Sequence, residues 1–97
     1  MPDFRDVDPG KLRLLPSRRQ GADPAKLQRQ IAWFGRSTVG MPPLQVFEGL
    51  DGVFVYNGVT RATRIAKLVP GALVPVEVIG RLRRAFATEP TIGDVLP

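Results

Sequence analysis

The chain has 97 residues, 43% of them hydrophobic, which is enough for one compact domain with an adequate core and too little for two. Its 14 Lys and Arg against 9 Asp and Glu leave a net charge of +5, which favours an anionic partner: a nucleotide, a nucleic acid or an acidic protein. Cysteine and histidine are both absent, so disulfides, thiolate chemistry, Cys-ligated metal centres and the commonest general base are excluded, and any catalysis falls to Asp, Glu, Lys, Arg or Tyr.

The opening Met1-Pro2-Asp3-Phe4-Arg5-Asp6 has no apolar signal core, and no run approaches the roughly 18 apolar residues of a membrane span. A soluble, cytoplasmic protein without a membrane partner is expected. Residues 4–7 alternate apolar and charged side chains, which suits a short edge strand, and Asp8-Pro9-Gly10 punctuates it as a turn. Residues 11–22 mix Leu12, Leu14 and Leu15 with Pro16, Arg18, Arg19 and Gly21, so an irregular connection pinned by leucines is expected there. Asp23-Pro24 is a helix start: the carboxylate caps free N–H groups, and Pro occupies the first helical position, where its missing donor costs nothing.

Over residues 24–34, Leu27, Ile31 and Phe34 recur at steps of four and three and predict one core-facing stripe, with Lys26, Gln28, Arg29 and Gln30 outward. Trp33 lies beside that stripe and reads as core or core edge in preference to a base-stacking platform. Gly35 suits the C-cap, and Gly40-Met41-Pro42-Pro43 ends any further helix. Residues 44–48 and 53–56 are rich in Val and Phe and flank Gly49-Leu50-Asp51-Gly52, which predicts an antiparallel hairpin.

The stretch Tyr56-Asn57-Gly58-Val59-Thr60-Arg61-Ala62-Thr63-Arg64 joins that second strand to a helix through an Asn-Gly turn. Both turn residues tolerate positive φ, so the backbone can bend sharply and present N–H groups where the positive end of a helix also points. Arg61 and Arg64, three apart, predict a shared helix face offering bidentate hydrogen bonds to phosphate or carboxylate, extended by Lys67. Thr60 is a candidate cap or phosphate ligand, and Tyr56 reads as sheet filler ahead of a base-stacking group. The candidate anion-binding residues are therefore Asn57, Gly58, Thr60, Arg61 and Arg64.

That helix is expected to stop at Val69, because Pro70-Gly71 follows. Val74-Pro75-Val76-Glu77-Val78-Ile79 predicts a last strand, with Pro75 near its start. Residues 80–87 are compatible with a longer strand or a short helix, and residues 88–97 with either a docked apolar turn or a loose tail. This order of elements predicts a single α+β domain over residues 1–97, with its core at about 4–82. Its small twisted mixed sheet would include the hairpin and be covered by two or three helices.

Taken together, the strand ending in Asp8-Pro9, the helix through Ile31, the segment Gly40-Met41-Pro42-Pro43-Leu44-Gln45-Val46, and Gly58-Val59-Thr60-Arg61 followed by Val74-Pro75-Val76 make residues 4–82 resemble the ParB N-terminal-like, or ParB/sulfiredoxin, fold family. The resemblance implies that Gly58 and Arg61 occupy a phosphate-contacting Gly-x-x-Arg element. It also implies a nucleotide or nucleic-acid partner, with a nucleoside triphosphate and Mg²⁺ as the conceivable cofactor. Sulfiredoxins carry Cys and His within that element where Val59 and Thr60 stand here, so their reductase chemistry is not expected. The helix-turn-helix reader that follows in chromosome-partitioning members is not expected either. Pro42 or Pro43 and Thr60 replace polar or basic groups of the CTP-binding branch.

Two alternatives follow from the same residues. A metal-dependent nuclease or ATP-using phosphotransferase would draw on Glu48, Asp51, Glu77, Asp6 or Asp8, but each has a plainer role as a turn or outward strand residue and no spacing defines a metal site. A protein-interaction module would present the basic face to an acidic partner. An exposed edge strand or the apolar tail would also offer a surface for pairing with a second copy as a homodimer.

Overall fold

The computed structural model describes residues 2–83 and 89–97. Seven regular elements follow one another: β1 (Asp3–Val7), β2 (Arg13–Leu14), α1 (Pro24–Phe34), β3 (Leu44–Glu48), β4 (Val53–Asn57), α2 (Val59–Leu68) and β5 (Val74–Arg81). They form the α+β fold expected: a five-stranded mixed sheet in the order β1-β5-β3-β4-β2. β1 and β5 are antiparallel, as are β3 and β4, whereas β3 with β5 and β2 with β4 are parallel.

Local chemistry accounts for most boundaries. The Asp23 carboxylate accepts from Lys26 N–H, Pro24 opens α1, and Gly35 closes it at φ 53°. The β3–β4 hairpin is tied by Gly49 N–H donating to Gly52 O at 2.7 Å. β1 is an edge strand, and Asp8 caps the short 3-10 turn Pro9–Lys11 that follows it. β5 extends two residues past the expected end, through Gly80 to Arg81. The rest of the question over residues 80–87 falls largely on residues 84–88, outside the described residues.

Three features differ from expectation. Residues 11–22 are not wholly irregular, because Arg13 and Leu14 pair in parallel with Phe54 and Val55 and supply the fifth strand. The α1 stripe is shallower than its spacing predicts: Leu27 is buried, but Phe34 is half-exposed and Trp33 is 74% exposed. The cause is that α1 packs chiefly on α2. A helix held by one neighbouring helix has a narrow buried stripe, and Trp33 lies about 120° round from Leu27 at 100° per residue.

The C-terminal segment is docked. Leu14 N–H donates to Pro90 O at 2.9 Å, Ile92 N–H donates to Leu12 O at 2.8 Å, and Ile92 is fully buried. Leu12, Leu14, Leu44, Val46, Val55, Val74 and Val76 form the sheet side of that core, and Val59, Ala62, Ile65 and Ala66 of α2 form its lid. No helix among the described residues is long and apolar enough to cross a membrane.

Candidate functional site

The N-terminus of α2 forms as the Asn57-Gly58 pair predicts. Gly58 is the N-cap in the left-handed region at φ 107°, and no side chain caps the free N–H groups of the first turn. Residues 58–64 do not all face one place, however. Asn57 ends β4, is exposed, and donates through Nδ2 to Gln45 Oε1 at 3.3 Å. It borders a shallow depression shared with Tyr56 and Arg18. The exposed Tyr56 packs edge-to-face on Phe47, with ring centroids 5.3 Å apart.

Arg61 and Arg64 come together at a cleft of about 410 Å³ between α1, the segment 37–42 and α2, lined by Gln30, Phe34, Ser37, Val39, Gly40, Met41, Pro42 and the two arginines. Arg61 Nη1 donates to Pro42 O at 2.9 Å. Arg64, only 2% exposed, is drawn inward: Nη1 donates to Gly35 O at 2.7 Å and to Ser37 O at 2.8 Å, Nη2 approaches Met41 Sδ at 3.7 Å, and the guanidinium lies 5.4 Å from the Phe34 ring centre. Among the described residues its Nε has no hydrogen-bond partner, and neither does Gln30 Oε1 on the facing helix. The solvent-facing basic row of Arg61, Arg64 and Lys67 is thus broken at its middle member. Lys67 remains exposed.

Electrostatically the cleft is unusual. Neither Arg61 nor Arg64 forms an ion pair among the described residues, whose salt bridges join Arg5, Arg19 and Arg81 to Asp3, Glu48 and Glu89. Burial holds both guanidiniums below their ordinary pKa. A cation taken out of water without a counter-charge is costly, and the carbonyl and π contacts at Arg64 only partly offset that cost.

Thr60 borders a second cleft, of about 270 Å³, with Lys26, Arg29, Gln30 and Trp33 of α1. Gln30 lines both clefts, so they adjoin across a single side chain. The buried Thr63 is spent within the helix, donating to Val59 O at 2.7 Å. Sequence reasoning missed what the Gly40-Met41-Pro42-Pro43 segment and the outer face of α1 contribute: the former's carbonyl, thioether and ring line the arginine cleft. The only available signal was a short apolar segment placed before a strand, which equally reads as a helix stop.

The carboxylates considered for metal chemistry do not converge. Glu48 accepts from Arg5 at 2.6 Å and lies 3.6 Å from Arg81, while Asp8 caps Gly10 N–H at 2.9 Å. No group of three potential metal ligands is found among the described residues. Compared with family models, curated proteins and solved structures, the chain shows no match to any of them.

Proposed function

We propose that the domain binds a phosphorylated ligand, a nucleotide or a nucleic-acid backbone, in the cleft between α1, residues 37–42 and the start of α2, as the ParB-like resemblance implies. One observation carries this reading: the buried Arg64 and the half-buried Arg61 line the same cleft and lack any carboxylate partner among the described residues. An anionic ligand supplies the missing counter-charge. Arg61 is its principal ligand, because only one of its donors is committed, to Pro42 O. Thr60, in the adjoining cleft beyond Gln30, offers a neutral donor to a ligand that extends there. Arg64 acts one step back, holding Gly35 and Ser37 so that the cleft wall keeps its shape.

The test is a thermal-shift series with ATP, CTP, GTP and inorganic phosphate, each with and without Mg²⁺, on the natural chain and on Arg61→Ala. A ligand at a hundred times its Kd stabilises the fold by about 2.7 kcal/mol, a rise of roughly 10 °C or more for a domain of this size. Arg61→Ala should abolish that rise while its own melting temperature stays within a few degrees. No rise with any of these compounds, or an equal rise in the variant, rejects the assignment.

A further inference from the structure

We infer that the anion cleft continues along the outer face of α1 as a platform for single-stranded nucleic acid, on which Trp33 stacks against an unpaired base. The inference rests on the phosphate-binding reading above and names its ligand class. Trp33 is the chain's one tryptophan, and 74% of it is exposed although an indole is among the most favourable side chains to bury. It meets Phe34 edge-on at 6.4 Å and 89°, and Phe34 in turn lies against the Arg64 guanidinium. Most of the indole surface remains open to a stacking partner.

The charges around it match a phosphodiester chain. Lys26 and Trp33 are seven residues apart, about 20° from alignment on the helix and separated by about 10 Å along its axis, with Arg29 between them. With Gln30 and Thr60 these three side chains line the second cleft, which adjoins the arginine cleft through Gln30. Arg36, also exposed, follows the Gly35 cap that ends the helix. Lys26, Arg29 and Arg36 are exposed and form no ion pair among the described residues, so they are available to phosphates. A cationic track interleaved with an exposed ring is the arrangement by which proteins hold unpaired strands, since each base offers a π face and each linkage a charge. A duplex keeps its base faces stacked on one another and offers none to Trp33.

Because Trp33 is the sole indole, its emission reports directly on stacking. Titration of the full chain with oligo-dT and oligo-U of about 12 nucleotides should quench its fluorescence, whereas a duplex of equal length should bind at least about tenfold more weakly. By anisotropy of a labelled oligonucleotide, Trp33→Ala should weaken binding about ten- to a hundredfold, and Trp33→Phe should recover most of the loss. Arg29→Ala should weaken all sequences alike and lower the salt dependence by about one counterion. The inference is overturned if no quenching occurs, if Trp33→Ala binds within twofold of the natural chain, or if the duplex binds equally well. Should mononucleotides raise the melting temperature while oligonucleotides leave the indole unquenched, the extension alone fails. Silence from both removes the phosphate reading as well.

Discussion

The Arg61 guanidinium folds back over Gly58. A Cβ added at Gly58 would come within 3.0 Å of Arg61 Nη2 and 2.5 Å of Leu44 Cδ2, so the absence of a side chain there lets an arginine and a core leucine close over the turn. The glycine is required twice, for its positive φ and for this space. Gly58→Ala should therefore cost roughly 2–4 kcal/mol, combining left-handed strain with overpacking against Leu44. For a domain of this size the melting temperature should fall by roughly 10–25 °C. A smaller loss, measured by thermal denaturation, would show that Leu44 and Arg61 can yield.

Arg64 is the link between α2 and the segment leaving α1. Arg64→Ala leaves two carbonyls without their donor and opens a void beside Phe34, and it should cost about 2–4 kcal/mol. Arg64→Lys should restore only part of that: an ammonium can donate to both Gly35 O and Ser37 O, which here share the single Nη1, but it loses the planar contact with Phe34 and the Nη2 approach to Met41 Sδ. Limited trypsin digestion provides a second readout, with cleavage after Arg36 accelerated in both variants.

Ile92 is fully buried within the core cluster. Ile92→Ala should destabilise the whole domain by about 2–5 kcal/mol, as for any large-to-small change in a packed core. If residues 89–97 were an appendage, denaturant unfolding of this variant would keep its midpoint.

Acid should loosen the same segment. The Glu89 carboxylate accepts from Arg19 Nη2 and Nε at 2.6 and 2.8 Å, and this pairing holds its pKa below the ordinary 4.5. Asp94 is likewise lowered, first by Thr91 N–H and then by the Thr91 hydroxyl. With the folded value depressed, the contribution is complete above the unfolded carboxylate range and is lost as pH falls through the folded value. Melting temperature should thus decline from about pH 4.5 downward, and Glu89→Gln should flatten part of that decline. An unchanged profile in the variant would place the acid sensitivity elsewhere.

Legibility in the sequence followed the range of the interaction. α1 runs over the residues its signals predict because Asp23, Pro24 and Gly35 act on their own backbone, and the β3–β4 hairpin is likewise closed by neighbours. β2 was not legible: two residues carry no periodicity, and their pairing with β4 is set by contacts about 40 positions away. Arg64 was misplaced for a related reason. Charge at a step of three from Arg61 suggests a solvated row, yet α2 is buried from Ala62 to Ala66, and an arginine inside such a run has to find carbonyls indoors. Trp33 erred in the opposite direction, since whether an aromatic is covered depends on what packs over its helix. Of the five residues expected at the anion site, Arg61 and Arg64 line one cleft and Thr60 its neighbour, Gly58 is the N-cap of α2, and Asn57 bonds to Gln45 beside a separate depression.

The pairing of residues 89–97 with β2 has a consequence for biosynthesis. Arg13 Nη1 reaches Glu89 O across 76 positions, and the strand it belongs to is otherwise only two residues long. A nascent chain that has emerged as far as β5 still lacks the partner that secures this edge of the sheet, and closing so long a loop is slow. The domain should therefore remain vulnerable to proteases and chaperone capture during translation, acquiring its full resistance in one late step when Ile92 clears the ribosome.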